Sequence, residues 1–91
     1  MKHIVLITHE VKDFTEWKAG FDAHNPVRES AGIRVIDVLA DAKNQNLVTS
    51  LLEVSDMEKM NAMFGDPNFQ ETLQKSGVIS EPEVKVLISK N

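Results

Sequence analysis

The chain has 91 residues, 14 acidic and 10 basic side chains, three histidines, and neither cysteine nor tyrosine. That length predicts one domain, residues 1–91. A formal charge of -4 argues against a general phosphate-backbone binder, which needs a basic face, so no nucleic-acid partner is expected. Without cysteine there is no disulfide, thiol nucleophile, thiolate zinc site or iron–sulfur ligation, and a reducing cytoplasm is the expected compartment.

His3-Ile4-Val5-Leu6-Ile7-Thr8-His9 is rich in β-branched residues and predicts a buried strand. Its apolar run is too short for a signal-peptide core, and no segment approaches the roughly 20 apolar residues of a membrane helix. No membrane association is therefore expected. Asp13 with Glu16 three residues on predicts a capping box. Phe14, Trp17, Phe21 and His24 then recur at spacings of 3, 4 and 3, one stripe of an amphipathic helix. Asn25-Pro26 interrupts it, because proline lacks an N–H and disfavours a helical residue before it. The expected restart has Asn25 as cap and runs from Pro26 to Ala31, with Gly32 as a left-handed stop.

Ile33 to Leu39 and Leu47 to Val54 predict two strands joined through a polar turn at residues 41–46. Ser55 with Glu58 predicts a second capping box, opening a helix with Met57, Met60 and Phe64 on one stripe. The three methionines of this stretch are read as gap-filling side chains. Gly65-Asp66-Pro67 breaks that helix and starts another carrying Phe69 and Leu73, which Gly77 ends. Glu83 to Ser89 is the last strand. The order β-α-β-β-α-β is the split βαβ arrangement of an α+β, ferredoxin-like sandwich: one four-stranded antiparallel sheet with helices on one face.

An antiparallel sheet with one wet face alternates apolar and polar residues. Here the first three strands do not. Ile4 and Leu6 oppose Val5 and Ile7, and Leu47 and Leu51 oppose Val48, Leu52 and Val54. Helices cover one face only, so the other is expected to meet a second copy of the chain, making a homodimer. With that order and these faces, the chain resembles the dimeric α/β-barrel superfamily, from Lys2 to Ser89. The run Trp17-Lys18-Ala19-Gly20-Phe21-Asp22-Ala23-His24, leading to Arg28 and Gly32, is similar to one in short, uncharacterised bacterial proteins of that superfamily. The resemblance implies a ferredoxin-like domain paired sheet to sheet. It spans antibiotic-biosynthesis-type monooxygenases, haem-degrading enzymes, muconolactone isomerases, stress-responsive proteins and ligand sensors, among which a fold does not choose. Tyrosine is absent and the single tryptophan lies on the first helix, so no catalytic residue is carried over.

Histidine is the natural acid–base group near neutral pH. His3 and His9 lie about 20 Å apart along one strand and do not share a metal ion, and no metal or cofactor is expected. Phe14 and Phe21 are read as core. Asp37 and Glu53 are acidic residues within strands, either lining a cavity or standing in water. His24, just before the proline break, and Arg28 four residues on mark a candidate pocket edge, Arg28 offering forked donors to a carboxylate. The expected lining is His9, Trp17, His24 and Arg28, in a pocket between sheet and helices or inside the barrel, with His24 as candidate proton acceptor. The reading is a small-molecule-binding protein, either a cofactor-free monooxygenase or an isomerase. Its rivals are a non-catalytic stress-response or ligand-sensing module and a structural subunit.

Overall fold

A computed structural model describes residues 2–90. Its elements run β1 (His3–Glu10), α1 (Phe14–Ala23), α2 (Asn25–Ser30), β2 (Ile33–Asp41), β3 (Asn44–Val54), α3 (Met57–Phe64), α4 (Pro67–Lys75) and β4 (Glu83–Ile88). The four strands form one antiparallel sheet in the order β2-β3-β1-β4. This is the ferredoxin-like α+β architecture that the element order predicts.

Local signals set the helix boundaries, with two corrections. Asp13 accepts from the Glu16 amide at 3.0 Å and caps α1. Asp66 caps α4 by accepting from the Asn68 amide at 2.9 Å. The expected Ser55 cap is displaced by one residue. Asp56 accepts from the Glu58 and Lys59 amides, while the Ser55 hydroxyl donates to the Gly32 carbonyl at 3.0 Å. A carboxylate is the better acceptor for helix N–H groups, and Ser55 is held by the turn it faces. Asn25 is likewise not a cap. It is the first residue of α2, His24 holds the cap position, and the Asn25 amide donates to Glu29 at 3.0 Å. Gly32 has φ 75°, and a Cβ there would stand 2.4 Å from the Ser55 Oγ. The positive φ favours glycine, and a Cβ would also push aside the Ser55 hydroxyl that donates to the Gly32 carbonyl.

The β2–β3 hairpin is tighter than expected. Asp41 pairs with Asn44, so the strands extend into the polar stretch and only Ala42-Lys43 turns. Val5, Ile7 and His9 of β1 stand opposite Leu52, Ser50 and Val48 of β3 and point toward the helices. The apolar core divides into two clusters. One gathers Val5, Ile7, Ile33, Leu52, Val54 and Met60 with Met63 and Phe64 at its margin. The other gathers Val11, Trp17 and Val48 with Phe14, Phe21 and Val78.

The opposite face of the sheet carries Ile4 and Leu6 from β1, Leu47 and Leu51 from β3, and Leu87 from β4, with no helix over it. Thr8 and Thr49 share a hydrogen bond of 2.8 Å across its centre. Helix cover is also incomplete on the inner side. Val84, Val86 and Ile88 face inward by register, yet each is nearly half exposed, because α4 stops at the margin of this edge strand and an open groove separates them. Among the described residues, no helix is long and apolar enough to cross a membrane.

Candidate functional site

At the seam between the two clusters lies a cavity of about 60 Å³, bounded by β1 and β3 below, α1 and α2 on one side and α3 and α4 above. Ile7, Leu52, Met63 and Phe64 of the first cluster and Trp17 and Phe21 of the second supply much of its wall. His9, Trp17, His24 and Arg28 all border it. The four residues singled out from sequence are thus gathered around one space, between sheet and helices rather than on the outer face.

Each arrives there for a local reason. His9 is an inward-facing position of β1, two residues beyond Ile7. It is buried, with its ring edge-on to Trp17 at 5.5 Å and 73°. Trp17 is 2% exposed and stacks at a tilt on Phe21, 4.9 Å away. His24 sits at the α1–α2 junction that Pro26 enforces, ring to ring with Phe69 of α4 at 6.4 Å. Arg28 lies one turn further on α2 and is 6% exposed. Its guanidinium rests 3.8 Å from the Phe21 ring centre, a cation–π contact, and donates to the Phe21 carbonyl in the last turn of α1.

The polar atoms of this wall are under-used. Both His9 nitrogens, His24 Nδ1 and Arg28 Nε are buried without a hydrogen-bond partner among the described residues. Buried polar groups are ordinarily paired, and an unpaired one costs about 1–3 kcal/mol. Burial holds the His9 imidazole below its ordinary pKa, so its neutral form, one donor and one acceptor, prevails near pH 7. Burial also lowers the Arg28 pKa, with the Asp22 charge opposing it. Arginine stays protonated through such shifts.

Other candidates lie elsewhere. Glu53 pairs with Arg34 on the outer side, which holds its carboxyl below the usual carboxylate range. Asp37 is exposed on β2 and takes no part in the cavity. Among the described residues, no three His, Asp or Glu side chains cluster to hold a metal ion. Sequence reasoning missed Ser50, a buried hydroxyl residue in the inward set Val48, Leu52 and Val54. A polar residue at an apolar register was the available signal. It also missed the wall of Phe69, Thr72 and Leu73 from α4, with Ser76 at the C-cap of that helix and Pro82 beyond it. The helical spacing of those residues shows a stripe without showing what it faces.

No protein-family model matches the chain, and no curated protein does. Solved structures share its fold. A candidate antibiotic biosynthesis monooxygenase from Bordetella bronchiseptica superposes with a TM-score of 0.79 at 14% identity, over 97% of this chain and 96% of that one. SnoaB, a cofactor-independent oxygenase from Streptomyces nogalater, superposes with a TM-score of 0.75 at 11% identity, over 99% and 94%. A conserved protein from Methanosarcina mazei Go1 gives 0.70 at 18% identity, over 99% and 94%. At such identities the likeness establishes the fold.

Proposed function

We propose that the cavity is a small-molecule site and that the protein acts as a homodimeric, cofactor-independent oxygenase or isomerase. One observation carries the reading: four buried polar atoms from two histidines and an arginine stand without a partner among the described residues, around a mainly apolar space. A ligand with matching polar groups recovers that desolvation cost, which is how a mainly apolar pocket fixes orientation. The fold shared with a cofactor-independent oxygenase supports the choice of chemistry.

His24, at a helix break beside the cavity, takes a proton from an acidic C–H or O–H of the substrate. In isomerisation the proton returns to another carbon. In oxygenation the substrate supplies both electrons as well as the protons: a CH2 group and dioxygen give C=O and water, so no external reductant is needed. His9, neutral by burial, orients the substrate as donor and acceptor.

The second copy covers the outer sheet face, where Ile4, Leu6, Leu47, Leu51 and Leu87 lie without helix cover. Residues 1–91 act as one domain, and the cysteine-free composition suits the cytoplasm.

Trp17 is the single tryptophan and part of the wall, so its emission reports occupancy. Small enolisable ketones and phenols are titrated against that emission, and those that bind are assayed for oxygen uptake and for isomerisation. His24→Gln is expected to lower turnover about 10²–10⁴-fold with binding retained, the usual contribution of a general base. Ligands that bind without either reaction would make the protein a non-catalytic sensor. Turnover untouched by His24→Gln removes the proton-acceptor role.

A further inference from the structure

Arg28 is the only charged side chain among the described residues lining the cavity. It is nine-tenths buried, yet among the described residues it makes no ion pair. The nearby Asp22 carboxylate is held by Lys18 at 2.8 Å. On its other side Arg28 borders an open groove containing Asp22 and Asp37, and neither pairs with it. One guanidinium nitrogen serves the Phe21 carbonyl and Cζ lies over the Phe21 ring, which leaves Nε buried and without a partner among the described residues. A guanidinium has five donors, so helix capping alone does not use this side chain up. The Asp22 charge offsets only part of the burial cost of this unpaired cation, and an anion that enters the site removes more of it.

The shape of the space narrows the anion. Its wall beyond Arg28 and the histidines is mainly apolar, with Phe69 and Leu73 from α4 beside the hydroxyl residues Ser50, Thr72 and Ser76. Its volume of about 60 Å³ lies far below the roughly 300–1,000 Å³ of pockets for drug-sized ligands. A single positive charge matches one negative charge, and a planar fork matches a planar acceptor. Resting on the reading of this cavity as the ligand site, we propose that it takes a short-chain monocarboxylate. The carboxylate faces Arg28 and the aliphatic body lies against Phe69 and Leu73.

The test compares matched pairs. Acetate, propionate and butyrate are titrated against Trp17 emission at constant ionic strength, beside acetamide, propionamide and butyramide. The acids are expected to bind at least about tenfold more tightly than their amides, because charge-assisted hydrogen bonds are roughly twice as strong as neutral ones. Arg28→Gln is expected to bring each pair together. Amides that bind as well as acids, or acids that leave the emission unchanged, overturn the proposal. If Arg28→Gln does not fold, the wild-type pairs decide alone. Neutral ligands binding without any preference for acids would remove the carboxylate and leave the cavity as a ligand site.

Discussion

His9 combines the features that set this cavity apart from ordinary core. It stands at a core register of β1, is buried, and has two nitrogens without partners. A leucine in its place removes those unpaired groups. His9→Leu is expected to raise unfolding stability by about 1 kcal/mol or more while weakening any ligand. Urea unfolding and Trp17 titration read the two effects separately. The pH dependence follows from the lowered pKa. Above the ordinary value of 6.5 both folded and unfolded chains hold a neutral imidazole, and the contribution to stability is complete. As pH falls below 6.5 the unfolded chain takes up a proton that the folded one refuses. Stability then drops by up to about 1.4 kcal/mol per pH unit, until the folded pKa is reached. Comparing wild type with His9→Leu between pH 7 and pH 5 isolates this slope; equal slopes would show that His9 is not held neutral. Lost stability from Glu53, whose pKa is lowered by Arg34, belongs to a more acidic window, as its carboxyl is protonated.

At the scale of elements, the helices that enclose the cavity meet it through small residues as well as large ones. Gly20 lies in the middle of α1 and on the cavity wall, and a Cβ there would meet only the Ser76 Cβ at 3.8 Å. That is ordinary contact. Gly20→Ala is expected to stabilise the chain by about 0.8–1.0 kcal/mol through helix propensity, and to weaken ligand binding by filling part of the space. Thermal unfolding and Trp17 titration test both halves; a destabilised variant would mean that α1 and α4 pack more tightly than this geometry allows. Helix starts at Asp13 and Asp66 were legible because a cap is a matter of local spacing. Ser55 was misread because two adjacent acceptors, Ser55 and Asp56, both fit the spacing. The choice between them came from the Gly32 carbonyl, 23 positions away in the chain.

At the scale of the whole molecule, the sheet presents two apolar faces and the helices occupy one. The inner edge at Val84, Val86 and Ile88 also lacks cover. Assembly through the outer face would hide Leu6 and Leu51, which stand opposite each other in the β1–β3 register. Leu51→Glu places a charge at the middle of that contact, and burying it without a partner is prohibitive. The variant is expected to run as a monomer in analytical ultracentrifugation where the wild type runs as a dimer, with little change in far-UV circular dichroism. A wild-type monomer at micromolar concentration would remove the paired-sheet assembly, while leaving the cavity, which this chain's own residues enclose.

The element order and both apolar strand faces were determined by the sequence alone, because hydrophobic period and turn chemistry are local. Four residues bordering the cavity were legible there too: Trp17, His24 and Arg28 from one helical stripe and the break that proline forces on it, and His9 from its place at the end of the first strand. The tertiary structure decided which face of the sheet the helices take. It therefore decided that His9 points at Trp17 and that Ser50 joins the wall. It also brought α4 over the cavity with Phe69 and Leu73. These placements depend on strand register and on packing between segments distant in the chain, where burial energy is shared among many side chains and no single spacing encodes the outcome. The missing partners of His9, His24 and Arg28 belong to the same category. A sequence shows that a side chain is polar, and only the packed fold shows that nothing within reach satisfies it.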